Sequence, residues 1–547
     1  MMVATLEQLP HEVLTHIAYY VALTPQGPPS DLLLLLCASR TLYNHLAPGI
    51  NTALYARLFA SVFDRAAIVR RLGAPSPTQL TEELQHRFAV LKRLRRCVEL
   101  YEADPTQGAL DAAHACAQDC LCQDLWTAYV MALEHDEHNV RQLHWAKISA
   151  YTDIHAVQTM CAHHVHRTYP TQAQVTALAM HLRHMLSRDQ RAPPMDDGSS
   201  DEQDSLFLLL KPFVFAAHEY DMFFGPWTAR TLPLSSAHGG GGGSMPHASV
   251  RHCGTTLTLA VPPVSQAATS LMFQCTARAM PTAHLTARLD ERLASVPTRV
   301  RSSRDYDHDF RRLQLCYDAR SAPGLRLEDH IGRLSGVWEG RFSFFDMDAY
   351  REMLDGSTSA LYDGTFGEQT QVLRLSEAVV CMSSDGVARY HEEIMANDTF
   401  SQHIAQAHKS AEAHAPPAPT RGGDQQPYIP ASHAEATPPT DAATMLQEWR
   451  KLPFWCDDEA PADGDQRELL LYGTGHSAWG KFFVRGRVRA WDGLVVLLKE
   501  YGPGRQGKWM YRGYSLAGST MVGRWRDAYT PHALHGYEGP FILSRRS

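Results

Sequence analysis

The chain has 547 residues, too many for one hydrophobic core, and at about 100 to 200 residues per domain it implies roughly three or four folded units. Hydrophobic residues make up 44% and charged residues 20%, as in ordinary globular protein, and a formal net charge of -8 argues against nucleic acid as the main ligand. Eleven cysteines, an odd number scattered along the chain, do not make a disulfide framework, which fits a reducing compartment.

No basic stretch followed by an apolar run opens the chain, and the longest apolar run, Leu32 to Ala38, is far short of the ~20 residues that span a bilayer. The expected location is therefore intracellular, in the cytoplasm, the nucleus or both. From Pro10, itself suited to a first helical position, Leu9, Val13, Leu14, Ile17, Ala18 and Val21 recur at helical spacing on one stripe. Thr24-Pro25-Gln26-Gly27-Pro28-Pro29 interrupts that helix, and Ser30 or Asp31 is placed to cap a second one from Leu32 to about Leu46. Its run of leucines puts apolar side chains all round, more than one core-facing stripe needs. Pro48 and Gly49 end it, and a third helix from about Thr52 carries Leu54, Tyr55, Leu58 and Phe59.

The opening Leu9-Pro10-His11-Glu12-Val13-Leu14, the Pro-rich turn, the leucine-rich segment ending in Cys37-x-x-Arg40 and the late aromatic helix together resemble the F-box family. The resemblance implies that residues 1–72 dock on the small adaptor subunit of an SCF-type cullin-RING ubiquitin ligase. It places adaptor contacts at Leu9, Pro10, Val13, Leu14, Ile17, Leu32, Leu33, Leu36, Cys37 and Arg40. The turn from Leu23 to Ser30 is longer than usual for the family, and Tyr55 stands where Trp is usual. A plain helical hairpin packed into the next domain is the alternative reading of the same residues.

Residues 73–225 read as a helical domain. After Ala74-Pro75-Ser76-Pro77, a helix from Thr78 to Tyr101 buries Leu84, Phe88, Leu91, Leu94 and Val98, with Thr81, Glu82 and Glu83 at its start. Lys92, Arg93, Arg95 and Arg96 form a basic, solvated face. Further helices are expected at 108–134, 140–163 and 171–187. His114, Cys116, Cys120 and Cys122 cluster, but Cys116-x3-Cys120-x-Cys122 is not a CxxC pair, so core packing rather than a metal is expected; His163, His164 and His166 follow as a second histidine group. Arg191 to Asp204, acidic and broken by Pro and Gly, reads as a loop, and the apolar run from Leu206 as buried helix broken at Pro212.

Residues 226–325 read as a mixed connector, with strands at Thr255 to Val261 and Ser270 to Thr276 and a flexible Gly239 to Ser244 loop. Asp305, Asp307 and Asp309 alternate around Tyr306 and His308 without the Gly and terminal Glu of a calcium loop, so Arg304 to Tyr317 is expected to connect rather than bind.

From 326 to 547 the pattern is β. Strands are expected at Gly336 to Phe344, Ala478 to Arg489, Leu494 to Tyr501, Lys508 to Leu516, Thr520 to Arg526 and Gly536 to Ser544, with Asp492-Gly493 as a hairpin turn. Short strands with tight turns argue for an antiparallel barrel or sandwich. This part resembles the β-barrel region of a group of F-box proteins, many of them fungal, and Gly336-x-Trp338 with the basic close Arg545-Arg546 is similar to the calycin signature. That second resemblance gives Trp338 and Arg545 a structural role at the barrel floor. Gly502 to Gly507 matches GxGxxG, but a strand rather than a helix follows, so it is expected to be a hairpin loop. His408 to Ala443, rich in Ala, Pro, His and Gly, is expected to be a disordered insert.

The fold expected is thus α+β and multidomain: F-box helices, an all-helical middle and a C-terminal antiparallel β-barrel. Ser477 beside His476 lacks the GxSxG elbow, and no nucleophile, base and orienting group assemble from nearby sequence, so no catalysis, cofactor or metal is expected. The function implied is a substrate receptor of an SCF-type ligase, whose partners are the adaptor, through it a cullin, and a protein substrate bound by the barrel or the helical region. A calycin-like barrel that binds a small apolar ligand beside an accessory helical domain is the alternative.

Overall fold

The computed structural model describes residues 6–24, 26–104, 118–170, 172–187, 200–224, 247–279, 301–318, 321–356, 364–381, 467–501, 507–528, 530 and 536–546. The chain divides into two compact units, one of residues 1–214 and 243–322 and the other of residues 215–242 and 323–547. The first three segments of the sequence reading therefore fall largely within one unit rather than three.

The first unit begins with a chain of short helices: α1 (His11–Ala22), α2 (Ser30–Ala38), α3 (Arg40–Leu46), α4 (Thr52–Val62) and α5 (Ala66–Leu72). Pro10 is the residue before α1 rather than its first turn. The single second helix expected from Leu32 to Leu46 is two helices. Ser39 sits between them in extended conformation, and its hydroxyl accepts from Leu42 N at 3.2 Å, an N-cap that restarts the chain as α3. Helix α6 (Pro77–Ala103) matches the helix expected from Thr78 to Tyr101 to within two residues at either end, but its start is set by Ser76 and Gln79, which form a capping box, and by Pro77 in the first turn rather than by Thr81.

Beyond it lie α7 (Gln118–Leu133), α8 (His138–Trp145), α9 (Ile148–His166), α10 (Gln174–Ser187) and α11 (Ser200–Phe215). A single helix from 140 to 163 is replaced by α8 and α9 because Lys147 between them adopts left-handed backbone, φ 58°. Helix α11 takes in Ser200 to Asp204, assigned above to a loop, and carries Pro212 near its end. The hairpin of β1 (His247–His252) and β2 (Thr255–Ala260) turns through Cys253 and Gly254, both at positive φ, the pattern of a tight two-residue turn. Ser270 to Thr276 is not a strand but part of α12 (Val264–Ala279). Pro262-Pro263 precedes its start, and Ala267, Ala268, Leu271 and Met272 are buried at helical spacing. The expected connector Arg304 to Tyr317 contains α13 (Asp307–Leu315), tied to α5 by ion pairs from Arg70 and Arg71 to Asp307.

The second unit is a closed eight-stranded barrel in which sequential strands pair antiparallel and the last closes on the first. Its strands are β3 (Gly336–Phe345), β4 (Phe366–Cys381), β5 (Arg467–Ser477), β6 (Gly480–Val488), β7 (Val495–Tyr501), β8 (Lys508–Leu516), β9 (Thr520–Asp527) and β10 (Glu538–Arg545), with helix α14 (Met347–Leu354) between β3 and β4. The architecture is α+β with a C-terminal barrel, and closure removes the edges that a sandwich would expose. Inward side chains alternate along each strand into one core that includes Trp338, Phe342, Leu373, Leu471, Phe482, Leu497, Trp525 and Phe541. At the β6–β7 turn, buried Asp492 is gripped by Arg489 at 2.5 Å, by the Tyr514 hydroxyl at 2.7 Å and by Leu494 N at 3.1 Å. The insert at 408–443 lies outside the described residues. Among those described, no helix is long and apolar enough to cross a membrane.

Candidate functional site

Strand β7 points Val495, Leu497, Lys499 and Tyr501 to one side, the side its apolar members share with the barrel core. A lysine thus stands at a position where alternation calls for an apolar residue. It is 2% exposed, as is Gln371 on β4. Strands β4 and β7 are separated in the barrel by β5 and β6, so the bond from Lys499 Nζ to Gln371 Oε1, 2.9 Å long, crosses the lumen. The Tyr511 hydroxyl of β8 donates to the same oxygen at 3.3 Å. An ammonium has no acceptor, so the amide must face it with oxygen, and that leaves its NH2 as a further donor. Gln371 Nε2 is buried, and no described residue accepts from it.

The surroundings are aromatic. Lys499 Nζ lies 4.1 Å from the ring centre of Phe482, 5.0 Å from Tyr501, 5.1 Å from Phe342 and 5.5 Å from Tyr511, all within cation–π range. Among the described residues no carboxylate pairs with it. Burial alone therefore acts on the amine and lowers its pKa from 10.5 to about 7. Burial also raises the Tyr511 hydroxyl well above its usual value and the Tyr501 hydroxyl to about 12, so both remain protonated donors at neutral pH.

Lys499 lies near one end of the barrel. Two residues on, Tyr501 ends β7 and bonds Ser477, the last residue of β5, hydroxyl to hydroxyl at 2.8 Å. Half-buried Phe344, Trp479, Trp509 and Tyr537 gather at this end, with Trp479 5.4 Å from Phe342 and Trp509 5.2 Å from Trp525 between ring centres. At the opposite end Trp338 is fully buried and its Nε1 donates to Leu334 O at 2.7 Å. Arg545 pairs with Trp338 in the β10–β3 ladder and lays its guanidinium beside Gly336, donating to Arg333 O at 3.1 Å.

The helical unit holds a second buried polar group. Arg87, fully buried, donates to Glu83 and to Glu134, each at 2.8 Å, and His252 stands 2.7 Å from Glu134 and 3.5 Å from Glu83. Burial works against every charge here, yet the carboxylates hold the His252 imidazole up to about 9, and Arg87 with His252 holds Glu83 and Glu134 below the usual range. Two cations thus answer two anions. Glu83, His252 and Cys253 bring potential ligand atoms within 4.8 Å of one another, but Arg87 already occupies the carboxylate and burial pushes the Cys253 thiol up. The donor set fits a structural network rather than a metal centre.

The expected adaptor-contact residues divide in two. Leu14 and Leu32, each 2% exposed, belong to the unit's own core, which corrects their assignment to an outward face. Leu9, Ile17 and Leu36 are half-buried, while Pro10, Cys37 and Arg40 are exposed. Val13 is 42% exposed and Leu33 60%, and Leu34, not among the expected contacts, is 69% exposed. His114 and Cys116 lie outside the described residues. Cys120 is exposed, against the expectation that it packs in the core, and Cys122 donates to Gln174 Oε1 at 3.4 Å. His163 bonds Thr168 at 2.9 Å at the end of α9. Of the basic face on α6, Arg93 pairs with Asp124 and Arg95 with Glu99. Most of the GxGxxG loop is outside the described residues, but β7 and β8 on either side pair antiparallel, as a hairpin requires. Ser477 and His476, neighbours on β5, face opposite sides of the sheet.

Comparison of the chain with protein-family models, with curated proteins and with solved structures finds no match in any of the three.

Proposed function

We propose that the N-terminal helices are a protein-docking module of F-box type and that the chain is a substrate receptor of an SCF-type ubiquitin ligase. The observation that carries this reading is the outward display of Leu33 and Leu34 on α2 with Val13 on α1. A nine-residue helix needs only its inward stripe for the core, and Leu32 supplies it. Large apolar side chains left in water on adjacent helices are what a standard interface of about 800 Å² per partner uses as anchors. In this role the chain does no covalent chemistry. It raises the local concentration of a bound substrate's lysine near a charged conjugating enzyme.

The test is co-precipitation of adaptor and cullin with the full-length chain beside a Val13→Asp, Leu33→Asp, Leu34→Asp variant. Exposed positions are chosen so that the variant keeps its fold, checked by its melting temperature. Recovery of both subunits with wild type and their loss with the variant is the expected result. Equal recovery with both chains, or no recovery with either, rejects the receptor reading.

A further inference from the structure

We propose that the outer wall of β4, β5 and β6 is a docking surface for an acidic peptide segment that carries one aromatic or large aliphatic side chain. This goes beyond the reading of the N-terminal helices, and its test needs neither adaptor nor cullin.

The barrel wall is finished differently on its two sides. Over β8 and β9 the outward residues are covered by the unit's own chain. Phe224 N donates to the Tyr514 hydroxyl at 2.8 Å, Arg524 donates to Tyr220 O at 3.3 Å, and the Arg512 guanidinium lies 5.0 Å from the ring centre of Phe223. Over β4 to β6, outward side chains stand in water. Phe483 on β6 is 55% exposed, and Arg374 on β4 and Lys481 on β6 are exposed as well. Alternation turns these three outward, since their neighbours Leu373, Phe482 and Val484 belong to the core. Strand register brings them together: Arg374 and Phe483 both pair with Thr474, and Lys481 pairs with His476, two residues along β5.

The charge of this wall is one-sided. Glu500, opposite Phe483 on β7, bonds Arg485 at 2.8 Å and Lys508 at 2.5 Å. Among the described residues no carboxylate pairs with Arg374 or Lys481. A chain of net charge -8 thus carries two unanswered cations beside a phenylalanine left in water. The complement to such a surface is a segment with carboxylates around an apolar side chain. Closure of the barrel leaves no free strand edge, so the segment is held by side chains rather than added as a strand. Neighbouring strands lie about 4.8 Å apart, which puts Arg374 about 10 Å from Phe483, while Lys481, two residues before it on the same face, is about 7 Å away. In an extended peptide those spans are reached by acids three and two residues from the anchor, and the long Arg and Lys side chains take up the angle between the two directions. A nucleic acid also stacks on exposed rings, but its evenly spaced phosphates need a row of cations, and the negative chain as a whole repels it.

The test is fluorescence anisotropy with the full-length chain and a fluorescein-labelled nonapeptide that has glutamates two residues before and three after a single phenylalanine, in a serine and glycine background. Companion peptides replace the glutamates by glutamine or lysine, or the phenylalanine by alanine. The glutamate peptide is expected to bind about 10-fold more tightly than the glutamine version at low salt, and the gap should narrow as salt screens it. Arg374→Glu with Lys481→Glu should reverse the preference, so that the lysine version binds this variant more tightly than the glutamate peptide does. Phe483→Ser should weaken the glutamate peptide and leave the alanine version unchanged. All three positions are exposed, and melting temperature checks that each variant keeps its fold. The proposal is overturned if glutamate and glutamine peptides bind the wild type equally, if neither binds, if the folded charge-reversal variant keeps the original preference, or if a twelve-nucleotide oligothymidylate binds more tightly than the glutamate peptide.

Discussion

Each unit contains a deeply buried cationic cluster, one around Arg87 and one around Lys499, and the two are answered in opposite ways. In the helical unit Arg87 and His252 are answered by Glu83 and Glu134 at hydrogen-bonding or ion-pairing distance. In the barrel Lys499 is as deeply buried but meets only an amide oxygen and aromatic rings. The first arrangement pairs each cation with a carboxylate and ties the end of β1 to α6 and to Glu134, the residue after α7, as a structural network does. The second is incomplete, and an ammonium taken out of water without a counter-ion destabilises the fold that contains it. The difference separates a charge cluster that holds the molecule together from a cation that no carboxylate answers among the described residues.

The sharpest way to break the comparison is to unbalance the complete network. Arg87→Leu leaves two buried carboxylates facing one imidazolium and should cost about 3 to 5 kcal/mol of the helical unit's stability, measured by urea unfolding followed through helical circular dichroism. A loss below about 1 kcal/mol would mean that the network is not what ties the hairpin to the helices.

Next in size is pH. The His252 pKa is raised from 6.5 to about 9, so its contribution is fully present below pH 6.5 and is lost as pH rises through about 9. On the order of 2 to 3 kcal/mol is at stake in the helical unit. Lys499 has the opposite sign. Its folded pKa of about 7 lies below 10.5, so its cost is full below pH 7 and falls away as pH rises between those values. Unfolding of the two units in alkaline titration should therefore shift in opposite directions, and His252→Gln should flatten the helical unit's response. A common shift of both units would remove the distinction between them.

Smaller again is Lys499→Met. Replacing an unpaired buried ammonium by an apolar side chain of similar length should stabilise the barrel by roughly 1 to 2 kcal/mol near neutral pH in guanidinium unfolding. Destabilisation would show that the aromatic rings and Gln371 satisfy the cation by themselves.

How much of this could be read beforehand follows from the range of each interaction. The strands from Lys508 to Leu516 and from Thr520 onward were legible because alternation and turn chemistry are local. The break at Ser39 was not, since a serine within a leucine-rich helical run reads as an interior residue until its hydroxyl is seen to cap Leu42 N. Ser270 to Thr276 misled because a short apolar run has no periodicity of its own, and the helical spacing shows only when Leu271 and Met272 are taken with Ala267 and Ala268. Lys499 left a signal, a lysine in phase with Val495, Leu497 and Tyr501. Its partner Gln371 is 128 residues away and meets it only because the barrel closes. Arg87 likewise looked like any helical arginine until Glu134 and His252 were brought to it.

The last and smallest prediction tests whether burial, rather than pairing as such, sets these magnitudes. Arg141 and Glu137 make an ion pair at 2.9 Å across one helical turn, as short as the bonds around Arg87, but with half of the Arg141 side chain and more of Glu137 in water. In solvent the attraction is screened, and holding two long side chains together costs rotamer entropy, so Arg141→Ala should change unfolding free energy by no more than about 0.5 kcal/mol. Distance alone would give this pair the same worth as Arg87 with Glu83. If Arg141→Ala and Arg87→Leu destabilise the helical unit equally, distance is the governing quantity, and the contrast between a completed buried charge and an uncompleted one loses its physical basis.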